Sequence, residues 1–248
     1  MLYRTIHYTK KGHVAIIRLK RPPAGKAVSL EFVRELAEVC DRVNDDEAIY
    51  VVILTGTGAA FVDFGDGKPG ERPPSGAAAA IAAIERPVIA AINGDAFGIG
   101  LEIALSCDIR IASAKARFAL PQVAQGYIPA DGGTQRLPRI IGRGKALELL
   151  LAAATLSANE ALEIGLINKV VPSGDLSAEV ARLAENIAAR GPLALRYLKE
   201  AVNKGMDLTL EQGLRLEADL YFLLHTNADR AEGITAFREK RKPEFKGK

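Results

Sequence analysis

One stretch constrains the fold more than any other. Pro87 to Ile92 is an unbroken apolar run that reads as a strand, Asn93 to Gly100 is a turn interrupted by Gly94, Gly98 and Gly100, and a helix opened by the carboxylate of Glu102 runs on toward Cys107 and Asp108. The glycines let main chain approach a ligand closely. The helix start adds unpaired N–H groups and the positive end of its dipole at the same spot, a setting that favours an anion or a developing oxyanion.

The rest of the chain supplies a frame for that unit. His13 to Leu19 alternates as a strand, with Gly12 placed for a hairpin back to Tyr3–Tyr8. Residues 30–43 form an amphipathic helix whose stripe is Phe32, Leu36, Val39, Cys40 and Val43. Strands are expected at 50–55, 87–92 and 108–112, the first two followed by turn and helix, and that alternation implies a mostly parallel, layered α/β core. Past about residue 190 the pattern changes to consecutive helices, Pro192–Lys204 and Leu208–His225, then a charged final helix. The division expected is therefore a core over 1–190 and a helical lobe over 191–248. Residues 65–76, rich in Pro and Gly, read as a loop.

Composition excludes several classes. With 248 residues and 48% hydrophobic content, the chain can bury one large core. A net charge of +3 gives no basic tract for nucleic acid or membrane, though it suits a ligand with several phosphates. Residues 1–11 lack the apolar segment of a signal peptide and no run is long enough to span a bilayer, so a cytoplasmic protein is expected. Cys40 and Cys107 read as reduced core thiols, and His7, His13 and His225 are scattered, so no metal site is expected. Gly98-Ile99-Gly100 lacks the third glycine of a dinucleotide fingerprint, and Gly142–Ala146 lacks the first glycine and the Ser/Thr of a P-loop.

Taken in order, Arg21-Pro22 with Ala27, Tyr50–Gly56, Arg86–Glu102, Gly126–Arg139, Ala158–Val171 and Gly233–Phe245 resemble the successive blocks of the crotonase family, the enoyl-CoA hydratases and isomerases, over nearly the whole chain. The resemblance implies an α/β, crotonase-like ββα spiral core with a C-terminal helical trimerisation lobe, a homo-trimer or homo-hexamer, and an acyl-CoA thioester substrate whose coenzyme A is no separate cofactor. It implies an oxyanion hole from the main-chain N–H groups of Asp63 and Ile99. Glu102 matches the first catalytic glutamate. The second, twenty residues on, is Gln122, which can hold water but cannot exchange a proton at neutral pH.

Two further departures matter. Phe61–Asp66 carries Asp63 and Phe64 where the family has a small alanine and glycine, and an ionised Asp63 about 4 Å from an enolate would oppose it by roughly 4 kcal/mol. Asp131 lies one residue beyond the catalytic aspartate of the dienoyl-CoA isomerases. It reads either as a proton-transfer group or as a cap on the helix that follows it. For coenzyme A the resemblance implies Lys26, Val28, Phe61, Gly65, Asp66 and Gly98, with Phe237 and Lys240 reaching a neighbouring subunit. The expected reaction is hydration or dehydration of an unsaturated acyl-CoA. A double-bond isomerase and a non-catalytic acyl-CoA-binding homologue are the alternatives.

Overall fold

The protein is described by a computed structural model covering residues 3–20, 28–62 and 75–247. β1 (Ile6–Lys11) and β2 (Val14–Leu19) form the expected hairpin, turned by Gly12 at φ 57°. α1 (Leu30–Asp45) starts where the Ser29 hydroxyl accepts the Phe32 N–H at 3.1 Å, and it buries the expected stripe. There follow β3 (Val51–Gly56), β4 (Ala60–Val62), α2 (Ala77–Ala82), β5 (Val88–Ile92), β6 (Asp95–Phe97) and α3 (Ile99–Leu105). The next stretch holds β7 (Ile109–Ser113), β8 (Arg117–Ala119), a 3-10 turn (Pro121–Gln125), α4 (Gly133–Ile141) and α5 (Arg143–Ala152). β9 (Thr155–Ser157), α6 (Ala158–Glu163) and β10 (Lys169–Val171) close the core, and α7 (Leu176–Ala188), α8 (Pro192–Gly205), α9 (Leu210–Leu223) and α10 (Ala228–Glu239) complete the chain.

The topology is a repeated ββα turn. β3, β5 and β7 lie in a six-stranded sheet of order β1-β2-β3-β5-β7-β10, and the strands that directly follow them, β4, β6 and β8, lie in a second sheet of order β4-β6-β8-β9. The chain thus spirals, placing one strand in each sheet per turn before a helix leads it back. β3 to β5 to β7 pair in parallel, as do β4 to β6 to β8. The large sheet is covered on both faces. Val52, Leu54, Val88 and Ala90 belong to the core shared with α1 and α3, whereas Val51, Ile53, Ile89 and Ala91 pack against Val180 and Ala184 of α7. This two-sided burial explains why β5 is apolar at every position.

Cys40 and Cys107 are free and buried, and burial pushes both thiols up to about 12, which keeps them protonated packing groups. α8 is fastened to the core by Lys199, whose ammonium meets Asp108 at 2.8 Å and the Arg86 carbonyl at 3.0 Å. Beyond that attachment the last helices carry much exposed apolar surface, including Met206, Leu210, Leu214, Phe222 and Leu223. Leu220, by contrast, is buried within its own chain. Among the described residues no helix is long and apolar enough to cross a membrane.

Candidate active site

The short sheet assembles the site. β4, β6 and β8 are parallel neighbours, so their C-terminal ends line up along one edge, where ligands of parallel sheets commonly sit. The segment after β4 carries Asp63, that after β6 carries Gly98, Ile99 and Glu102, and that after β8 carries Gln122. The stretches after β6 and β8, separated in sequence, are thereby delivered to one place, with Gln122 over Gly98.

Gly98 makes the turn at φ 52° and ψ −121°, a left-handed conformation that glycine adopts without strain. Its N–H donates to Ala119 at 2.9 Å, and its carbonyl accepts Leu101 N–H at 3.0 Å and Glu102 N–H at 3.1 Å, which starts α3. The N–H groups of Ile99 and Gly100 have no partner among the described residues. Ile99 therefore offers a free donor where an oxyanion donor is expected. Gly100 lies so close to β4 that a Cβ would fall 2.6 Å from the Val62 carbonyl oxygen, and this contact sets the first turn of α3 against the end of β4.

Glu102 is 3% exposed. Its Oε1 accepts the Asp131 N–H at 2.7 Å and the Gly133 N–H at 2.9 Å, while Oε2 accepts nothing from the described residues. Gly133 permits this approach because its own Cβ position lies 3.2 Å from Glu102 Cγ. Burial raises the Glu102 pKa, the two N–H bonds and Arg136 pull it back, the Asp131 charge adds to the rise, and the net result is a raised value. A carboxyl held by one oxygen, open at the other and shifted toward neutrality is equipped to take and return a proton.

Gln122, in the 3-10 turn, is buried over Gly98, with Nε2 3.6 Å from the position a Gly98 Cβ would occupy. Its Oε1 is the one buried side-chain polar atom without a hydrogen-bond partner among the described residues. A buried amide carbonyl left unpaired costs roughly 1–3 kcal/mol, so Gln122 Oε1 is suited to accept from a hydrogen-bond donor such as water.

Asp131 requires a correction. It does not cap the helix that follows it, since the N-cap of α4 is Gly132 at φ 101° with no side-chain bond. Instead Oδ1 accepts Gly76 N–H at 3.0 Å and Oδ2 accepts Ala78 N–H at 2.8 Å, capping α2 from across the fold. It reaches Glu102 through its main chain.

The remaining expected residues are dispersed. Phe61 is 1% exposed with its ring in the core, and Val28 is also buried. Phe237 is 85% exposed on α10, and Lys240 ends that helix, exposed, at φ 54°. Lys26, Asp63, Gly65, Asp66 and most of the 65–76 loop lie outside the described residues. Gly100 and Gly133 shape the site by close approach, and Asp131 and Gly133 hold Glu102 by main-chain donors, features carried by backbone rather than by side-chain type. No group of three or more His, Cys, Asp or Glu suited to a metal occurs among the described residues.

Residues 9–248 match the family described as enoyl-CoA hydratase/isomerase. The chain is 40% identical to the crotonyl-CoA hydratase of Syntrophomonas wolfei, covering 99% of both proteins. It is 38% identical to the short-chain-enoyl-CoA hydratase of Clostridium acetobutylicum, covering 95% of both. Among solved structures, an enoyl-CoA hydratase from Bacillus anthracis superposes with a TM-score of 0.92 at 38% identity, covering 99% of this chain and 100% of that one. The chain belongs to the enoyl-CoA hydratase/isomerase family of the crotonase superfamily. It is an enzyme of that family.

Proposed function

We propose that the protein interconverts an unsaturated acyl-CoA and its 3-hydroxyacyl-CoA by adding or removing water. The observation that carries this reading is the Glu102 Oε2 that accepts nothing from the described residues, on the helix that starts at Gly98, together with the unpartnered amide oxygen of Gln122, which lies over Gly98. In the hydration direction, water held by Gln122 gives its proton to Glu102 as its oxygen bonds to the β-carbon. The electron pair of the C=C bond moves onto the thioester oxygen, where the Ile99 N–H and a donor from Phe61–Asp66 stabilise the enolate. Protonated Glu102 then returns the proton to the α-carbon. Removing one donor from such a hole typically costs ~10²–10³ in rate. The hydratase names of the relatives support the same reaction.

Gln122 favours one alternative. Without a second carboxylate at this position, Glu102 alone could remove a proton and return it elsewhere, which is double-bond isomerisation. Crotonyl-CoA distinguishes the two: hydration removes the conjugated-thioester absorbance and forms 3-hydroxybutyryl-CoA, whereas folded protein with no hydrated product overturns the hydratase reading. Gln122→Glu is expected to be tolerated and to support crotonyl-CoA hydration at or above the wild-type rate. It should add a second ionisation to the pH profile, since a second buried carboxyl in the same site is expected to titrate together with Glu102. A rate well below wild type would contradict the water-holding role of Gln122.

The exposed apolar side chains of α8, α9 and α10 support assembly as a homo-trimer or homo-hexamer. In it, Phe237 and Lys240 would meet coenzyme A on a neighbouring subunit. Light scattering is expected to give three or six times the chain mass, and a monomer at micromolar concentration would contradict it.

A further inference from the structure

Asp131 is gripped at three of its groups by three different elements. Its carboxylate, buried at 8% exposure, accepts the Gly76 and Ala78 N–H groups at the start of α2. Its carbonyl accepts Arg136 Nη1 of α4 at 2.9 Å. Its own N–H donates to Glu102 Oε1 of α3 at 2.7 Å. α2 has no cap of its own, because Gly76 precedes it at φ 111° with no side chain to offer. α2 is also a firm anchor: Ala77, Ala78 and Ile81 are buried where it packs between α1 and α3.

We propose that Asp131 is a positioning residue: by clasping the start of α2, it holds the 131–133 main chain where two N–H groups fix Glu102 Oε1 and leave Oε2 as the oxygen that handles the proton. The inference rests on the reading of Glu102 as the acid/base. Two donors on one oxygen lock the carboxyl rotamer and keep the other oxygen aimed at the reacting atoms, where misplacement by about 1 Å can cost ~10² in rate. The charged groups that bear on Glu102 are Asp131, which raises its pKa, and Arg136, which lowers it. Arg139, farther along α4, is exposed, and α2 and β4 contribute no titratable side chain.

Asp131→Asn breaks half the clasp at nearly constant volume, since the new NH₂ faces a main-chain N–H. The expected result is a kcat roughly 10- to 100-fold lower with KM little changed. The acid limb of kcat/KM should move to higher pH, because Glu102 loses donors that favour its ionised form. Amide hydrogen exchange should rise together at 76–78 and at 131–133. An Asp131 acting only as a nearby charge would move the limb to lower pH, and one serving only as scaffold would leave it in place; either outcome overturns the proposal. Asp131→Glu keeps the charge but displaces the carboxylate, and the same upward movement is expected of it should the Asn variant fail to fold. The exchange comparison needs no turnover. A wild-type protein inert toward crotonyl-CoA would remove the hydratase reading, while independent exchange of the two segments would overturn the tether.

Discussion

Glu102→Gln is expected to lower turnover of a confirmed enoyl-CoA substrate by ~10² or more while leaving coenzyme A affinity nearly unchanged. The amide can still accept the Asp131 and Gly133 N–H bonds through its oxygen, so the fold is kept and only proton exchange is lost. The same variant carries a stability signature of opposite sign. Burial raises the folded-state pKa of Glu102, so between the ordinary carboxyl value and the raised one the folded chain binds more protons than the unfolded chain. Wild-type stability therefore falls as pH climbs through that window and stays lowered above it. Gln cannot ionise. Urea midpoints should thus give Glu102→Gln an advantage over wild type at neutral pH that shrinks as pH falls below the ordinary carboxyl value, where Glu102 is protonated in the folded and the unfolded chain alike. Turnover at the wild-type rate would remove Glu102 from the chemistry, and a pH-independent stability difference would contradict the burial argument.

The fold was legible in sequence where periodicity is long. The α1 stripe and the β5 run appear because each repeats a pattern over several residues, and the hairpin appears because Gly12 marks its turn. β4, β6 and β8 are only three residues long, too short to express an alternation, and Asp95–Phe97 reads as turn. Those strands align the site. Their existence is decided by pairing with each other, a non-local fact that composition does not carry.

In the site, side chains of distinctive type were legible: Glu102 and Gln122 stand out by chemistry and spacing. The partners of Glu102 are main-chain N–H groups of residues 131 and 133, and any residue except proline carries such a donor. Asp131 was visible as a carboxylate near the site. Its choice of α2 over α4 was not visible, because the target N–H groups lie more than fifty residues away. On the C-terminal helices, apolar content raised the expectation of an interface, but only the fold separates buried Leu220 from exposed Phe222 and Leu223.

Gly100→Ala is expected to act against its helix propensity. Alanine is more favourable than glycine by about 1 kcal/mol in a helix interior and by less in the first turn, so local preference alone would stabilise α3 or leave it unchanged. Here the new methyl would fall 2.6 Å from the Val62 carbonyl oxygen and 2.9 Å from Val62 Cβ. The first obstacle is main chain of a paired strand, which cannot rotate away as a flexible side chain could. Overpacking of this kind typically costs about 1–3 kcal/mol, which outweighs the propensity gain, so a net loss of stability is expected. The functional loss should be larger. Relieving the clash separates the first turn of α3 from the end of β4, and with it moves the Ile99 N–H and Glu102 relative to the segment expected to supply the second oxyanion donor. Losing a donor's alignment costs ~10² or more in rate. Gly144→Ala is the control, because a Cβ there meets nothing within 4 Å and glycine-to-alanine replacement in a compatible helical site stabilises by about 0.5 kcal/mol. Wild-type kcat and an unchanged urea midpoint in Gly100→Ala would mean that the β4–α3 approach does not set the geometry of the site.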